Sequence, residues 1–399
     1  MINHFGIRRR EFVLGTVAAA TSGAALTPSS AKDLGTPASG TSLPKDLQWK
    51  ADDALLVHSA NTIETKRSHA GRSPITPLEE LFVRNNVSPP PPSVVADPDS
   101  WSVSIEGVKE PAVLTVAELK QIDIESVACV LQCSGNGRKF FDHNPNGTAW
   151  TVGAAGCILW TGIPVRSLIQ KLGGVDSGCQ FMTGTGGEPI PEGLDPNTVV
   201  VERSVPVDAM EIALLAWEAN GKALPLAHGG PLRLVIPGYF GVNNIKYIKK
   251  LAFSDVESQA RIQANSYRVT PLGGKGSTEF PSMWQMPIKS WIREQIETTK
   301  SGPIQIQGVM FGGEGGASSV EISIDGGASW SPAKLVGPDL GPYAWRNFSF
   351  SVDLPPGRHV LASRATDSKG NSQPEHMTPN DRGYAHNGWR AHAITITAT

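Results

Sequence analysis

The sequence predicts an α+β domain followed by an all-β domain. Three observations carry that expectation. The 42 Gly and 31 Pro are spread through 399 residues, only 18% of residues are charged, and the apolar pattern changes near Ile288 from mixed spacing to strand spacing alone. Many turns around short strands follow, and a helical bundle is excluded. The length allows one large core or two ordinary ones. With 35 Lys and Arg against 37 Asp and Glu, the chain encodes no broad basic surface for nucleic acid or anionic lipid, so an anion site must be local.

Residues 1–31 read as a signal peptide. Arg8, Arg9 and Arg10 precede Phe12, an Ala-rich apolar run over 13–26, and the small residues Ser29, Ser30 and Ala31. Paired arginines followed by Phe12 and Val13 resemble the twin-arginine signal, which exports proteins already folded, so a periplasmic protein with a cofactor inserted before export is expected. The alternative is an ordinary secretory signal; the apolar run falls short of the roughly 20 residues that span a bilayer.

Residues 32–75 are polar and aperiodic, and predict an extended arm. A domain over 76–287 then opens with Thr76-Pro77-Leu78-Glu79, an N-cap and capping-box pattern that predicts a short helix burying Leu78, Leu81 and Phe82. Prolines 89–92 force extended geometry just after Arg84. Trp101, Val103 and Ile105 alternate as a strand, Thr115 and Glu118 cap a second short helix, and 126–132 reads as a buried strand. Helices are predicted over 165–172 and 207–219, stopped by Gly173 and Gly221, with strands at 232–237 and 245–253.

From 288 to 399 strand patterns come at short spacing: 291–297, 304–310, 320–324, 347–352, 359–364 and 391–397, with no helix between them. Val320, Ile322 and Ile324 alternate before Asp325-Gly326-Gly327, a hairpin signal. This half is predicted to be an immunoglobulin-like sandwich without the paired cysteines of antibody domains.

The four cysteines, Cys129, Cys133, Cys157 and Cys179, are too few to staple a chain of this size. None forms a Cys-x-x-Cys-His haem site, and a 129–133 or 157–179 disulfide suits an oxidising compartment. Cys133 sits in Val130-Leu131-Gln132-Cys133-Ser134-Gly135-Asn136-Gly137-Arg138, where an apolar strand delivers a thiol into a loop of small residues beside a cation. That setting favours thiolate, the form that ligates soft metals. On spacing alone, a disulfide or an inert thiol is the commoner outcome for such a cysteine.

Gln-Cys-Ser-Gly-Asn-Gly-Arg resembles the cysteine loop of the sulfite oxidase family of molybdenum enzymes, which usually ends Cys-Ala-Gly-Asn-Arg-Arg. Leu81-Phe82-Val83-Arg84-Asn85 and the stretch 225–246, with His-Gly-Gly-Pro-Leu-Arg and Pro-Gly-Tyr-Phe-Gly-Val-Asn-Asn-Ile-Lys, resemble its pterin segments. The C-terminal half resembles its dimerisation domain. The resemblance covers nearly everything from residue 75 onward.

It implies that Cys133 is the protein ligand to molybdenum, with molybdopterin supplying the other sulfurs. Arg84, Arg138 and Arg382 would line an anion pocket, for which always-charged, forked guanidiniums are suited. Trp150 would belong to the substrate pocket and Tyr267 would assist electron and proton movement. Phe82, Val83, Asn85, Asn86, His228, Arg233, Asn244, Ile245 and Lys246 match pterin-binding positions. Three departures stand out: Asn86 replaces a histidine, Gly137 replaces the first arginine of the usual pair, and the acid the family carries near 181–187 is missing before Glu188.

The function implied is a haem-free sulfite dehydrogenase that oxidises sulfite to sulfate and passes electrons singly to a separate c-type cytochrome, as a homodimer with no membrane anchor. The rivals are a related molybdenum reductase acting on nitrate or methionine sulfoxide, and a non-catalytic periplasmic binding protein.

Overall fold

The computed structural model describes residues 42–294 and 296–399, so the expected signal peptide lies outside the described residues. From Leu43 onward the chain is folded. Strands Leu55–Ser59 and Thr62–Thr65 form an antiparallel pair, and Val83–Arg84 joins as a third strand with Thr62 opposite Arg84. Leu47, Leu55, Ile63 and Val83 make a small core beneath them. The expected arm is thus corrected from residue 42 onward: its polar residues are consumed by specific contacts. Arg67 donates to the carbonyls of Ile292 and His392 at 2.8 and 2.6 Å, and the indoles of Trp291 and Trp345 donate to Ala70 and Pro74. The segment is a strap onto the C-terminal domain.

Two five-stranded sheets build the middle of the chain. In one, Ala155–Pro164 lies between Glu125–Gln132 and Leu214–Ala219, all antiparallel. In the other, Ile248–Ser254 runs parallel to Ser102–Glu106 and antiparallel to Phe181–Gly186. The helix Val165–Lys171 ends one residue before the expected position. Thr115 and Glu118 close their capping box over Val116–Leu119, each side chain bonding the other's backbone N–H.

Two helix expectations fail here. Residues 77–81 make a single turn, with Leu81 N–H donating to Pro77 at 3.1 Å. Thr76 cannot act as a cap because its hydroxyl accepts from the Cys157 N–H at 3.1 Å. Leu78, Leu81 and Phe82 are nevertheless buried. Over 207–219 a 3-10 turn, Val207–Glu211, precedes the strand Leu214–Ala219. That strand is inserted between Ala155–Pro164 and Arg233–Val235 and is buried except at Glu218. A run apolar on both faces does not distinguish helix from strand, and the sheet decides.

The C-terminal domain is all-β apart from one helical turn, Trp389–His392, that interrupts the expected strand at 391–397. A four-stranded and a five-stranded sheet share one core of Ile306, Phe348, Val320, Leu361 and Ile396. The hairpin at Asp325 forms, pairing Ala317–Ser323 with Ser331–Pro332. A second core, containing Val130, Cys157, Phe240, Trp291, Phe311 and Tyr384, joins the two domains. It fixes the loop 376–388 against the middle domain, where Ala385 N–H donates to Ser134 at 2.9 Å.

Candidate active site

The strand Glu125–Gln132 ends at the cysteine loop. Cys133 N–H donates to Ala154, and Asn136 and Arg138 N–H groups turn the loop back onto Cys133 and Gly135, each at 2.9 Å. All four cysteines are free. Burial pushes the Cys157 thiol up to about 12 and Cys129 higher still, so neither is a ready thiolate. Cys179 lies elsewhere, 3.9 Å from the Gly107 carbonyl. Cys133, half-buried, is the cysteine that lines an open cleft.

Three segments complete that cleft. Phe82, Arg84 and Asn86 come from the third strand and its exit, His228, Arg233, Gly241 and Lys246 from the segment around Arg233–Val235, and Tyr267 from the loop after the second sheet. No carboxylate lines it among the described residues. Asn86 connects two of these pieces: its Oδ1 accepts from Arg84 Nη2 at 2.7 Å and from the Tyr267 hydroxyl at 3.4 Å.

Of the cations at the inner end, Arg233 and Lys50 are buried and Lys246 is half-buried. Lys246 Nζ donates to Asn85 Oδ1 and to the Ala227 carbonyl, both at 2.6 Å. Burial, with Arg233 nearby, holds its pKa well below the usual lysine range. Arg233 donates to the carbonyls of His228 and Asn244 at 2.8 and 3.2 Å, and burial lowers its pKa to about 10. His228 is 1% exposed; burial and then Lys50 keep its pKa well below the normal imidazole value, so it is neutral at pH 7. Lys50 Nζ lies 3.1 Å from His228 Nε2 and donates to Leu78 at 2.6 Å, and burial draws its pKa down to about 7. Gly229 holds φ +104, and a Cβ there would lie 2.9 Å from Lys246 Cγ, so the lysine passes directly over it.

Several predicted residues serve as frame instead of wall. Asn244 bonds Ile236, Tyr239 and Phe240 backbone, and Ile245 accepts from Leu234 N–H. Val83, in the third strand, is buried in the small core with Leu55 and Ile63. Trp150 is fully buried behind Phe82, edge-on at 6.2 Å, and so supports the wall without forming it. Arg138 is 8% exposed; its guanidinium is held by the carbonyls of Arg382 and Thr148 at 3.0 and 2.9 Å. The Arg382 side chain is exposed. Of the three predicted arginines, Arg84 lines the cleft, while Arg138 and Arg382 meet each other beside it.

Two residues were missed. Lys50 lies in the stretch that reads as an arm, and only the folded strap brings it to His228. Tyr384, two residues past Arg382, stacks on Tyr267 at 5.2 Å and 15° with the Arg138 guanidinium 5.5 Å from its ring centre. Burial pushes its hydroxyl up to about 12. A tyrosine in a loop carries no periodic signal.

The donor set fits a phosphate-bearing cofactor. Arg233 Nε and Ser134 Oγ are buried without a partner on residues that line the cleft, and buried unpaired donors beside an opening call for a ligand. Among the described residues no group of three or more His, Cys, Asp or Glu could hold a metal, so Cys133 would need ligands from a cofactor. Glu188, the first acid after 181–187, is half-buried; desolvation pushes its carboxyl up to about 7, with Lys246 the cation acting against that.

A family model described as the oxidoreductase molybdopterin binding domain matches residues 89–262, and the Mo-co oxidoreductase dimerisation domain matches 281–398. The mitochondrial sulfite oxidase of Macaca fascicularis is 30% identical over 377 residues, 86% of this chain and 67% of that protein. The Homo sapiens protein is 30% identical over 371 residues, 85% and 66% of the two chains. The chain thus spans about two thirds of the length of these relatives. The sulfane dehydrogenase SoxCD from Paracoccus pantotrophus superposes with a TM-score of 0.70 over 86% of this chain and 88% of that one at 24% identity, which shows a shared fold. With both family domains matched in order, and the cysteine loop and buried cations meeting in one cleft, the chain belongs to the sulfite oxidase family of molybdenum enzymes.

Proposed function

We propose that this oxidoreductase is a sulfite dehydrogenase, exported folded to the periplasm, that oxidises sulfite to sulfate and passes electrons one at a time to an external c-type cytochrome. Two copies pair through the C-terminal domain, in keeping with its match to a dimerisation domain. The observation that carries the reading is a cleft that joins the Cys133 thiol to Arg84, His228, Arg233 and Lys246 with no carboxylate in its lining. The substrate named for the relatives supports sulfite.

Cys133 would hold molybdenum, and His228, Arg233 and Lys246 would hold the molybdopterin phosphate. When bound, that group supplies a two-electron redox change and oxygen-atom transfer. Arg84, permanently charged, binds an anionic oxygen and orients the substrate. Asn86 steadies both Arg84 and the Tyr267 hydroxyl, which places a proton donor beside the bound anion. Tyr267 holds that proton at its phenolic oxygen. Phe82 and Leu131 give the cleft apolar walls that strengthen the arginine's attraction by excluding water.

Protein purified from the periplasm and shown to carry stoichiometric molybdenum separates the readings. Turnover with sulfite and ferricyanide, and none with nitrate or methionine sulfoxide under a reductant, is expected. Reduction of nitrate without sulfite oxidation would replace this proposal with the reductase. A preparation without molybdenum after export with its own signal would favour the binding protein.

A further inference from the structure

Lys289 belongs to the C-terminal domain, on the strand Lys289–Ile292, yet its ammonium ends in the cysteine loop. It is 1% exposed, and Nζ donates to the Asn136 carbonyl at 3.1 Å. No carboxylate pairs with it among the described ion pairs. The imidazoles of His386 and His392 beside it contact each other at 3.0 Å and are kept neutral by burial and by Lys289 itself. A buried ammonium without a counter-charge is costly: burial draws the Lys289 pKa down to about 7, and Cys133 is the group that acts against that.

Gly137 shows why the cation arrives from the other domain. Its φ is +93, and a Cβ there would lie 2.9 Å from His386 Cβ and 3.5 Å from Lys289 Nζ. The space beside position 137, where the resemblance expects an arginine, is filled by the two C-terminal residues. The loop thus receives a cation across the interface.

We infer that Lys289 is a positioning residue for the metal-ligating thiolate: it fixes the loop through Asn136 and supplies the positive charge that Cys133 needs as a ligand. The inference rests on Cys133 holding molybdenum. A cation near the ligating sulfur favours the reduced centre, because reduction adds one electron and one negative charge there. The C-terminal domain then tunes the metal as well as covering it.

The test is the midpoint potential of the molybdenum couple, followed by electron paramagnetic resonance, in Lys289→Gln and Lys289→Arg, together with molybdenum content. Gln can still donate to Asn136 but carries no charge. The expected result is molybdenum within twofold of wild type and a lowered potential in Lys289→Gln, with Lys289→Arg restored toward the wild-type value. An unchanged potential in molybdenum-replete Lys289→Gln overturns the inference. If Lys289→Gln fails to retain metal, retention by Lys289→Arg supports the need for charge, and failure of both overturns it. Wild-type spectra in Cys133→Ser would instead overturn the ligand assignment, so the two failures are separable.

Discussion

The two ends of the cleft hold positive charge in opposite ways. At the inner end Arg233 and Lys50 are buried and Lys246 is half-buried, all three tied to backbone carbonyls, with His228 neutral among them. At the outer end Arg84 is half-buried and leans on the exposed Asn86. A buried cation costs less when a resident anion offsets it, whereas a half-exposed arginine can release and rebind one at little desolvation cost. On the proposed reading, the inner end holds a resident cofactor and the outer end an exchanging substrate.

The sharpest way to break this division is Cys133→Ser. Turnover should be abolished, while the half-buried position limits the change in stability to within about 1 kcal/mol; full turnover would remove the cysteine from the metal. Next, Arg233→Met leaves the carbonyls of His228 and Asn244 without donors, and should cost roughly 2–4 kcal/mol in the melting equilibrium and lower molybdopterin content. Normal cofactor content would move the phosphate away from the inner end. Arg84→Gln should raise KM for sulfite about 10- to 100-fold with a much smaller change in kcat, the weight of one charge-assisted contact of ~1.5–3 kcal/mol. Equal losses in kcat and kcat/KM would instead place Arg84 in the transition state alone.

A pH experiment sharpens the inner end. Lys50 falls to about 7 from an unfolded value of 10.5, so above pH 7 the unfolded chain binds the extra proton and stability rises with pH. Below pH 7 the cost of the buried charge is present in full. Cofactor-free protein should therefore melt higher at pH 8.5 than at pH 7, and Lys50→Met should flatten that rise. A loaded enzyme should show less of it, because the bound phosphate favours the protonated lysine. The smallest catalytic effect is expected of Trp150→Phe, since Trp150 stands behind Phe82: a stability loss of about 1–3 kcal/mol with KM nearly unchanged. A large rise in KM would return Trp150 to the cleft wall.

The sequence carried the site in contiguous motifs more clearly than in scattered contacts. Cys133, His228, Arg233 and Lys246 were legible because their glycine-rich surroundings are local, and the structure gathers them in one cleft. Lys50 and Tyr384 were not, because each meets a residue of the cleft lining, His228 or Tyr267, through tertiary packing: one by the strap over 42–75, the other by a loop of the C-terminal domain. Arg138 and Arg382 show the converse, since a motif names a residue but not the direction of its side chain. The all-β half was legible from alternation at Val320, Ile322 and Ile324. The strand Leu214–Ala219 was not, because burial on both faces erases the period that separates helix from strand.

The most direct measurement is an anaerobic titration of oxidised, molybdenum-replete protein with sulfite, followed by the absorbance of the metal centre. Reduction complete at one equivalent of sulfite per molybdenum, with one equivalent of sulfate formed, is the predicted result and needs no knowledge of the electron acceptor. An absorbance that stays oxidised through excess sulfite would contradict the account.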